Sequence, residues 1–150
     1  MSKELSITGI GNGTAIDHIP VGRALRLVEL LGVDEEHIVG IALNVKSKRL
    51  GKKDLMFIEN KYLSGQEIAK TSLVARKATI NLIKDFKVEK KIHLQWPDKV
   101  IGLLKCANPN CISNHEIFQT RFEIDKEKET AKCFHCETIM DKQEIMRLVE

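Results

Sequence analysis

Four cysteines constrain this chain more than any other feature. They fall in two hooks, Cys106-x4-Cys111 and Cys133-x2-Cys136, with twenty-one residues between them. Each hook turns the chain sharply enough to offer two sulfurs to one ion. The first loop, Ala107-Asn108-Pro109-Asn110, is made mainly of turn formers. Zinc holds such ligands tetrahedrally at ~2.3 Å, and four sulfurs leave no open position for water. The expected ion is therefore a single structural zinc held by Cys106, Cys111, Cys133 and Cys136. Lys105 and Lys132 directly precede the first cysteine of each hook, where they offset the negative charge of a zinc tetrathiolate.

Other uses of the same residues are weaker. Two disulfides need an oxidising compartment, and nothing in the chain suggests export. His115 and His135 are rival ligands, but four thiolates already complete the shell. A redox-active Cys133-Phe134-His135-Cys136 pair belongs at a helix N-terminus beside a thioredoxin-like βαβ unit, a setting absent here.

The 150 residues are 43% hydrophobic and 30% charged, the balance of a soluble globular protein. No apolar run approaches the ~18 residues that cross a bilayer, and MSKELSITG lacks a signal-peptide stretch, so a cytoplasmic location is expected. The formal charge is +3. Four thiolates and one zinc reduce it to about +1, which removes most of the case for a nucleic-acid partner.

Upstream of the hooks the pattern alternates. Leu5–Ile10 reads as a strand ending in a glycine-bearing loop, and Val21–Leu31 as an amphipathic helix stopped by Gly32. Ile38–Val45 and Asp54–Glu59 form an expected hairpin joined by the lysine-rich 46–53 segment. Ser64-Gly65-Gln66-Glu67 has the capping-box form ahead of a second helix through Ile68, Ala69, Leu73 and Arg76. Thr79–Ile83 and Phe86–Leu94 close the region as strands. The order β-α-β-β-α-β plus one strand predicts an α+β fold: a ferredoxin-like antiparallel sheet with two helices on one face. Trp96-Pro97-Asp98 breaks the pattern. The expected domains are residues 1–96 and 101–150, with 97–100 as linker. The second is a small antiparallel β domain of zinc-ribbon type, with strands at Phe118–Ile124 and Thr130–Lys132. It is too short for an adequate core without a metal staple.

No catalytic constellation is present. Gly11-Asn12-Gly13-Thr14 is neither a P-loop nor a dinucleotide fingerprint and reads as a turn. Asp17 and His18 are expected on a loop entering the first helix, as a cap or as a small polar site for a base or ribose. The lysines at 46–53 and 84–91 read as solvated faces, with Lys91 left open as a phosphate ligand.

Several short motifs occur together and in order. They are Gly13-Thr14-Ala15-Ile16-Asp17-His18-Ile19-Pro20, Gly51-Lys52-Lys53-Asp54-Leu55, Ile58-Glu59-Asn60, Ala78-Thr79-Ile80-Asn81 and Cys106-x-Asn108-Pro109-Asn110-Cys111-Ile112-Ser113. With the hook spacing, this set resembles the regulatory chains of aspartate carbamoyltransferase over nearly the whole length. The resemblance implies a non-catalytic subunit in de novo pyrimidine biosynthesis. It implies an N-terminal allosteric domain that binds CTP, UTP and ATP at one overlapping site, and a zinc domain that docks on the catalytic chain. Regulatory-chain homodimers would bridge catalytic trimers. Carried over position by position, the effector site comprises Ile10, Ala15, Asp17, His18, Lys53, Leu55, Asn81, Ile83, Phe86, Val88 and Lys91. Asp17 would meet ribose or base, Asn81 and Ile83 base and sugar, Lys91 the triphosphate, and Lys53 a neighbouring phosphate. Where well-studied members carry a nucleotide-contacting lysine between Leu55 and Glu59, this chain has Phe57, which can stack or pack beside a base. The competing reading is a zinc-ribbon nucleic-acid-binding protein. Glu116, Glu123, Asp125, Glu127, Glu129 and Glu137 among the lysines of the tail argue against it.

Overall fold

The computed structural model describes residues 11–150. Two compact units divide at the Gln95–Trp96 bond. The expected strand at 5–10 lies outside the described residues.

The first unit is a five-stranded sheet in the order β2-β3-β1-β4-β5. Its strands are β1 (Gly13–Ile19), β2 (Val39–Ser47), β3 (Gly51–Glu59), β4 (Thr79–Lys84) and β5 (Lys87–His93), with helices α1 (Ala24–Leu30) and α2 (Gly65–Val74). Every neighbouring pair is antiparallel. The ferredoxin-like class holds, and one stretch changes its assignment. The stretch expected to be a turn and loop, 13–19, is the central strand, paired on both sides with β3 and β4. Gly13 (φ +144) is a glycine because a Cβ there would collide with the Ile58 carbonyl. It marks a close backbone approach, with no turn at that point.

Alternation along the strands sorts the two faces. Ile16, Met56, Ile58 and Ile80 point one way and are fully buried, as are Ala24 and Leu27 of α1 and Val74 of α2. The helices lie side by side on this face, where the Arg23 guanidinium donates to the Val74 carbonyl at 2.8 Å. Helix α2 begins at the expected capping box: Ser64 Oγ accepts from Glu67 N–H (3.2 Å), and Glu67 Oε1 accepts from Ser64 N–H (3.0 Å). Helix α1 starts later than expected, and Asp17 does not cap it. Its N-cap is Arg23, whose side chain makes no capping bond. The hairpin arms run through most of the lysine-rich segment, so Ser47 pairs with Gly51 across the short turn 48–50. The 84–87 connection is a two-residue turn with Asp85 (φ 51) and Phe86 (φ 63) both left-handed, the geometry of a tight hairpin.

The second unit is a four-stranded antiparallel sheet in the order β6-β7-β8-β9, from β6 (Lys99–Ile101), β7 (Arg121–Asp125), β8 (Thr130–Cys133) and β9 (Ile139–Met140). Two assignments change here. Residues 99 and 100 are strand where linker was expected, because Val100 is buried and pairs with Phe122. Residues 118–120 are not strand. Helix α3 (Lys142–Leu148) went unassigned from sequence although Asp141 and Glu144 form a complete capping box at its start. A single apolar layer of Phe122, Ala131, Met140 and Ile145 fills the unit.

Candidate functional site: a four-cysteine centre and a basic sheet face

The two hooks converge. Cys106 and Cys111 come from the loop after β6, Cys133 ends β8, and Cys136 follows it. Their four sulfurs all lie within 4.8 Å of one another. Cys106 and Cys136 are 3.6 Å apart and Cys111 and Cys133 3.8 Å. A tetrahedron of sulfurs ~2.3 Å from one zinc has edges of about 3.8 Å, so the donor set fits the ion. Backbone and side-chain contacts support the hooks. Asn114 Nδ2 donates to the carbonyls of Cys106 (3.1 Å) and Asn108 (2.7 Å), Ala107 N–H points at Met140 Sδ (3.2 Å), and the Ser113 and Thr138 hydroxyls sit 3.1 and 3.2 Å from Cys111 and Cys136.

Burial pushes the metal-free Cys106 and Cys133 thiols up. At Cys136 burial acts the same way, but hydrogen bonding by Thr138, Asn108 and Cys106 together outweighs it and brings the thiol down to about 6. Metal binding therefore displaces protons from buried thiols, Cys106 and Cys133 among them. The rival histidines are placed elsewhere. His115 Nε2 bonds the Pro109 carbonyl at 2.7 Å, and the His135 ring lies between Phe118 (5.8 Å) and Phe134 (5.6 Å).

The second constellation lies on the sheet face opposite the helices. Ala15, Asn81 and Lys91 form one cross-strand row; Asp17, Thr79 and His93 form the next. Lys53, Leu55 and Phe57 alternate onto this face from β3, and Ile83 pairs with Val88. Lys53 is almost fully buried and its Nζ meets Asp17 Oδ1 at 3.0 Å. His18 occupies a bulge with φ 57, and its N–H donates to Asp17 Oδ1 at 2.6 Å. The His18 imidazole is held below its ordinary value, first by burial; the Asp17 carboxylate opposes this, while Lys53, Arg49 and Lys91 reinforce it. Lys53 is neutralised by Asp17, which leaves Arg49 and Lys91 as the cations around a neutral imidazole. Asn81 Oδ1 and Thr79 Oγ1 are buried without a hydrogen-bond partner among the described residues. Unmatched buried acceptors and surplus positive charge suit an anionic ligand that also donates hydrogen bonds.

Of the expected effector residues, Ala15, Asp17, His18, Lys53, Leu55, Asn81, Ile83, Val88 and Lys91 come together on or beside this face. Phe86 is 72% exposed in the β4–β5 turn, which is anchored by its N–H to the Gly11 carbonyl (2.9 Å). Ile10 lies outside the described residues. Asp17 and His18 reach the face from the central strand and not, as expected, from a loop. Phe57 packs against Ala15 and Ile83, and its ring lies over Gly40, where a Cβ would collide with it. Two participants have no place in that set: Thr79 lies within the Ala78-Thr79-Ile80-Asn81 motif, and Arg49 within the lysine-rich 46–53 segment.

A ferredoxin-like sheet with a basic, acceptor-lined open face, followed by a four-cysteine ribbon, defines a two-unit α+β chain with a small metal-binding domain. The chain belongs to the family of aspartate carbamoyltransferase regulatory chains. The family model for the allosteric domain of that chain matches residues 5–95, and the model for its metal-binding domain matches residues 98–146. Among similar proteins, the aspartate carbamoyltransferase regulatory chain of Thermococcus onnurineus is 43% identical over 146 residues, covering 95% of this chain and 97% of the relative. That of Pyrococcus abyssi is 43% identical over 147 residues (95% and 97%), and that of Korarchaeum cryptofilum 42% over 151 residues (97% and 96%). The chain is thus a regulatory, non-catalytic subunit whose partner is the catalytic chain, and its four cysteines form a structural zinc site. The nucleic-acid reading is not favoured. No helix among the described residues is long and apolar enough to cross a membrane.

Proposed function

We propose that the helix-free face of the first unit binds the nucleotide effectors CTP, UTP and ATP, and that the second unit passes their effect to the catalytic chain. The observation that carries this reading is the grouping of Asp17, Lys53, His18 and Asn81 on one face with Arg49 and Lys91 as unneutralised cations. Lys91 and Arg49 would meet phosphates, Asp17 a ribose hydroxyl, and Asn81 a hydrogen-bond donor on base or sugar. Phe57 supplies an apolar wall where relatives of the family carry lysine, so base discrimination rests on packing.

The regulatory chain acts as a homodimer in this reading. β2 is an edge strand, and its Ile41 and Leu43, with Ile38 just before it, are exposed as they would be on a surface that a second copy covers. Ile117, Phe118 and Phe134, beside the zinc hooks and likewise exposed, suit the catalytic chain. Nucleotide shifts the assembly only through unequal affinity for its states. The chain works in the cytoplasm, on neither nucleic acid nor membrane.

The test is calorimetric titration of the full zinc-loaded chain with CTP, UTP and ATP, followed by assay of the complex with aspartate in their presence. Mutually exclusive binding and an altered aspartate response are expected. A chain that binds none of the three, or that binds RNA with steep salt dependence, rules the reading out.

A further inference from the structure

β3 is flanked at one point by two bulges. On one side Ile16 pairs with Met56 and Ile19 with Asp54, so three steps along β1 match two along β3. On the other, Ala42 pairs with Leu55 and Val45 with Lys53, again three against two. Both bulges contain a left-handed residue that is not glycine, His18 (φ 57) and Asn44 (φ 59). Such conformations persist where surrounding groups over-determine them.

One side chain bonds the second bulge directly and the corner that follows the first. Asp54 is 0% exposed, on the helix-bearing face directly behind Lys53. Its Oδ1 accepts the Asn44 N–H at 3.1 Å. Its Oδ2 accepts the Gly22 N–H at 3.0 Å and, more weakly, the Ala24 N–H at 3.5 Å. The carboxylate therefore ties the β2 bulge to the corner between β1 and α1, and the backbone of the same residue pairs with Ile19, where the His18 bulge ends. Nothing in the binding chemistry of the opposite face uses Asp54. Lys53, its neighbour in sequence, and His18, which precedes its pairing partner Ile19, are among the groups of that face.

We propose that Asp54 is a positioning residue for the effector site, holding Asp17, His18 and Lys53 in register by fastening the Asn44 bulge and the β1–α1 corner from behind the sheet. This rests on reading the opposite face as the nucleotide site. A backbone held by a buried carboxylate with several N–H donors has little freedom to relax, so bulge and site move together or not at all.

The experiment compares Asp54→Asn with Leu27→Ala in the full zinc-loaded chain. Asn keeps one acceptor oxygen but turns an NH2 towards N–H donors. Leu27→Ala removes a fully buried side chain from α1 and none of the hydrogen bonds that Asp54 accepts. In Asp54→Asn the amide signals of His18 and Asn44 should shift and exchange faster together, and ATP affinity should fall about tenfold. Leu27→Ala should lower the thermal midpoint while leaving both readouts near wild type. If Asp54→Asn does not fold, Asp54→Ser, with an acceptor and no opposed amide, carries the same expectation. Unmoved His18 and Asn44 amides, or an ATP affinity that merely follows thermal stability in both variants, overturn the proposal. A wild-type chain that binds no ATP overturns the functional reading instead, while the amide pair still decides the role of Asp54.

Discussion

The two units hold themselves together by different means. In the first, the three inner strands bury side chains under two helices, with Ile16, Met56, Ile58, Ile80, Leu27 and Val74 all at 0% exposure. In the second, a four-stranded sheet has one thin apolar layer, and its least exposed residues include three of the four cysteines. Burial at ~25 cal/mol per Å² sustains a large layer and fails a small one. The ribbon therefore depends on an ion where the sheet depends on area. The difference frees the helix-free face of the first unit to carry polar and charged groups, because the opposite face already supplies its core.

Metal removal gives the largest expected effect. Structural zinc contributes roughly 10–16 kcal/mol to small domains at pH 7. Chelation, or Cys133→Ser, should unfold the second unit while the amide spectrum of the five-stranded sheet survives. A ribbon that keeps its dispersion without metal would break the comparison. Zinc affinity should also climb with pH, since Cys106 and Cys133 are buried thiols that must lose protons.

Ile80→Ala probes the opposite dependence. It should cost about 2–5 kcal/mol in the first unit's thermal transition, with zinc affinity unchanged.

Lys53→Met ranks next. It strands Asp17 on a partly open face, a loss of about 1–3 kcal/mol between the exposed and buried limits. In the proposed site it should also weaken nucleotide binding, as read by calorimetry.

Gly40→Ala forces a methyl into the Phe57 ring and should cost about 1–3 kcal/mol. The double variant Gly40→Ala/Phe57→Lys should recover most of that stability. Failure to recover would mean the ring is not what Gly40 accommodates.

The smallest effect concerns His18. Burial holds its imidazole below 6.5, so the unfolded chain binds the proton more readily than the folded one. Its contribution to stability is complete above pH ~6.5 and is lost as pH falls through the folded-state value. An anionic ligand beside it reverses the balance, so polyphosphate affinity should rise modestly between pH 7.5 and 6. A flat profile would remove His18 from the site.

The zinc centre was legible because its chemistry is written in contiguous hooks. The Ser64 capping box is a four-residue device and was read equally well; the Asp141 box was there to be read and was passed over. The sheet face was harder. Motif resemblance brought Asp17, His18, Lys53, Asn81 and Lys91 forward by number, yet Asp17 and His18 were expected from a loop, since Gly11-Asn12-Gly13 and Pro20 bracket the segment with turn residues. Thr79 lies inside an ordinary strand pattern, and Arg49 inside a lysine-rich turn that looked merely solvated.

From sequence alone came the ligands of the metal, the α+β order and the need for a staple in a short domain, all consequences of near-neighbour spacing. Tertiary structure alone decided that residues 13–19 run through the middle of the sheet, that Phe57 covers Gly40, and that Asp54 sits behind two bulges. Those facts depend on which remote strand supplies the partner for each backbone N–H and carbonyl. No local spacing encodes that choice, because it is made by burying one face of the whole sheet at once.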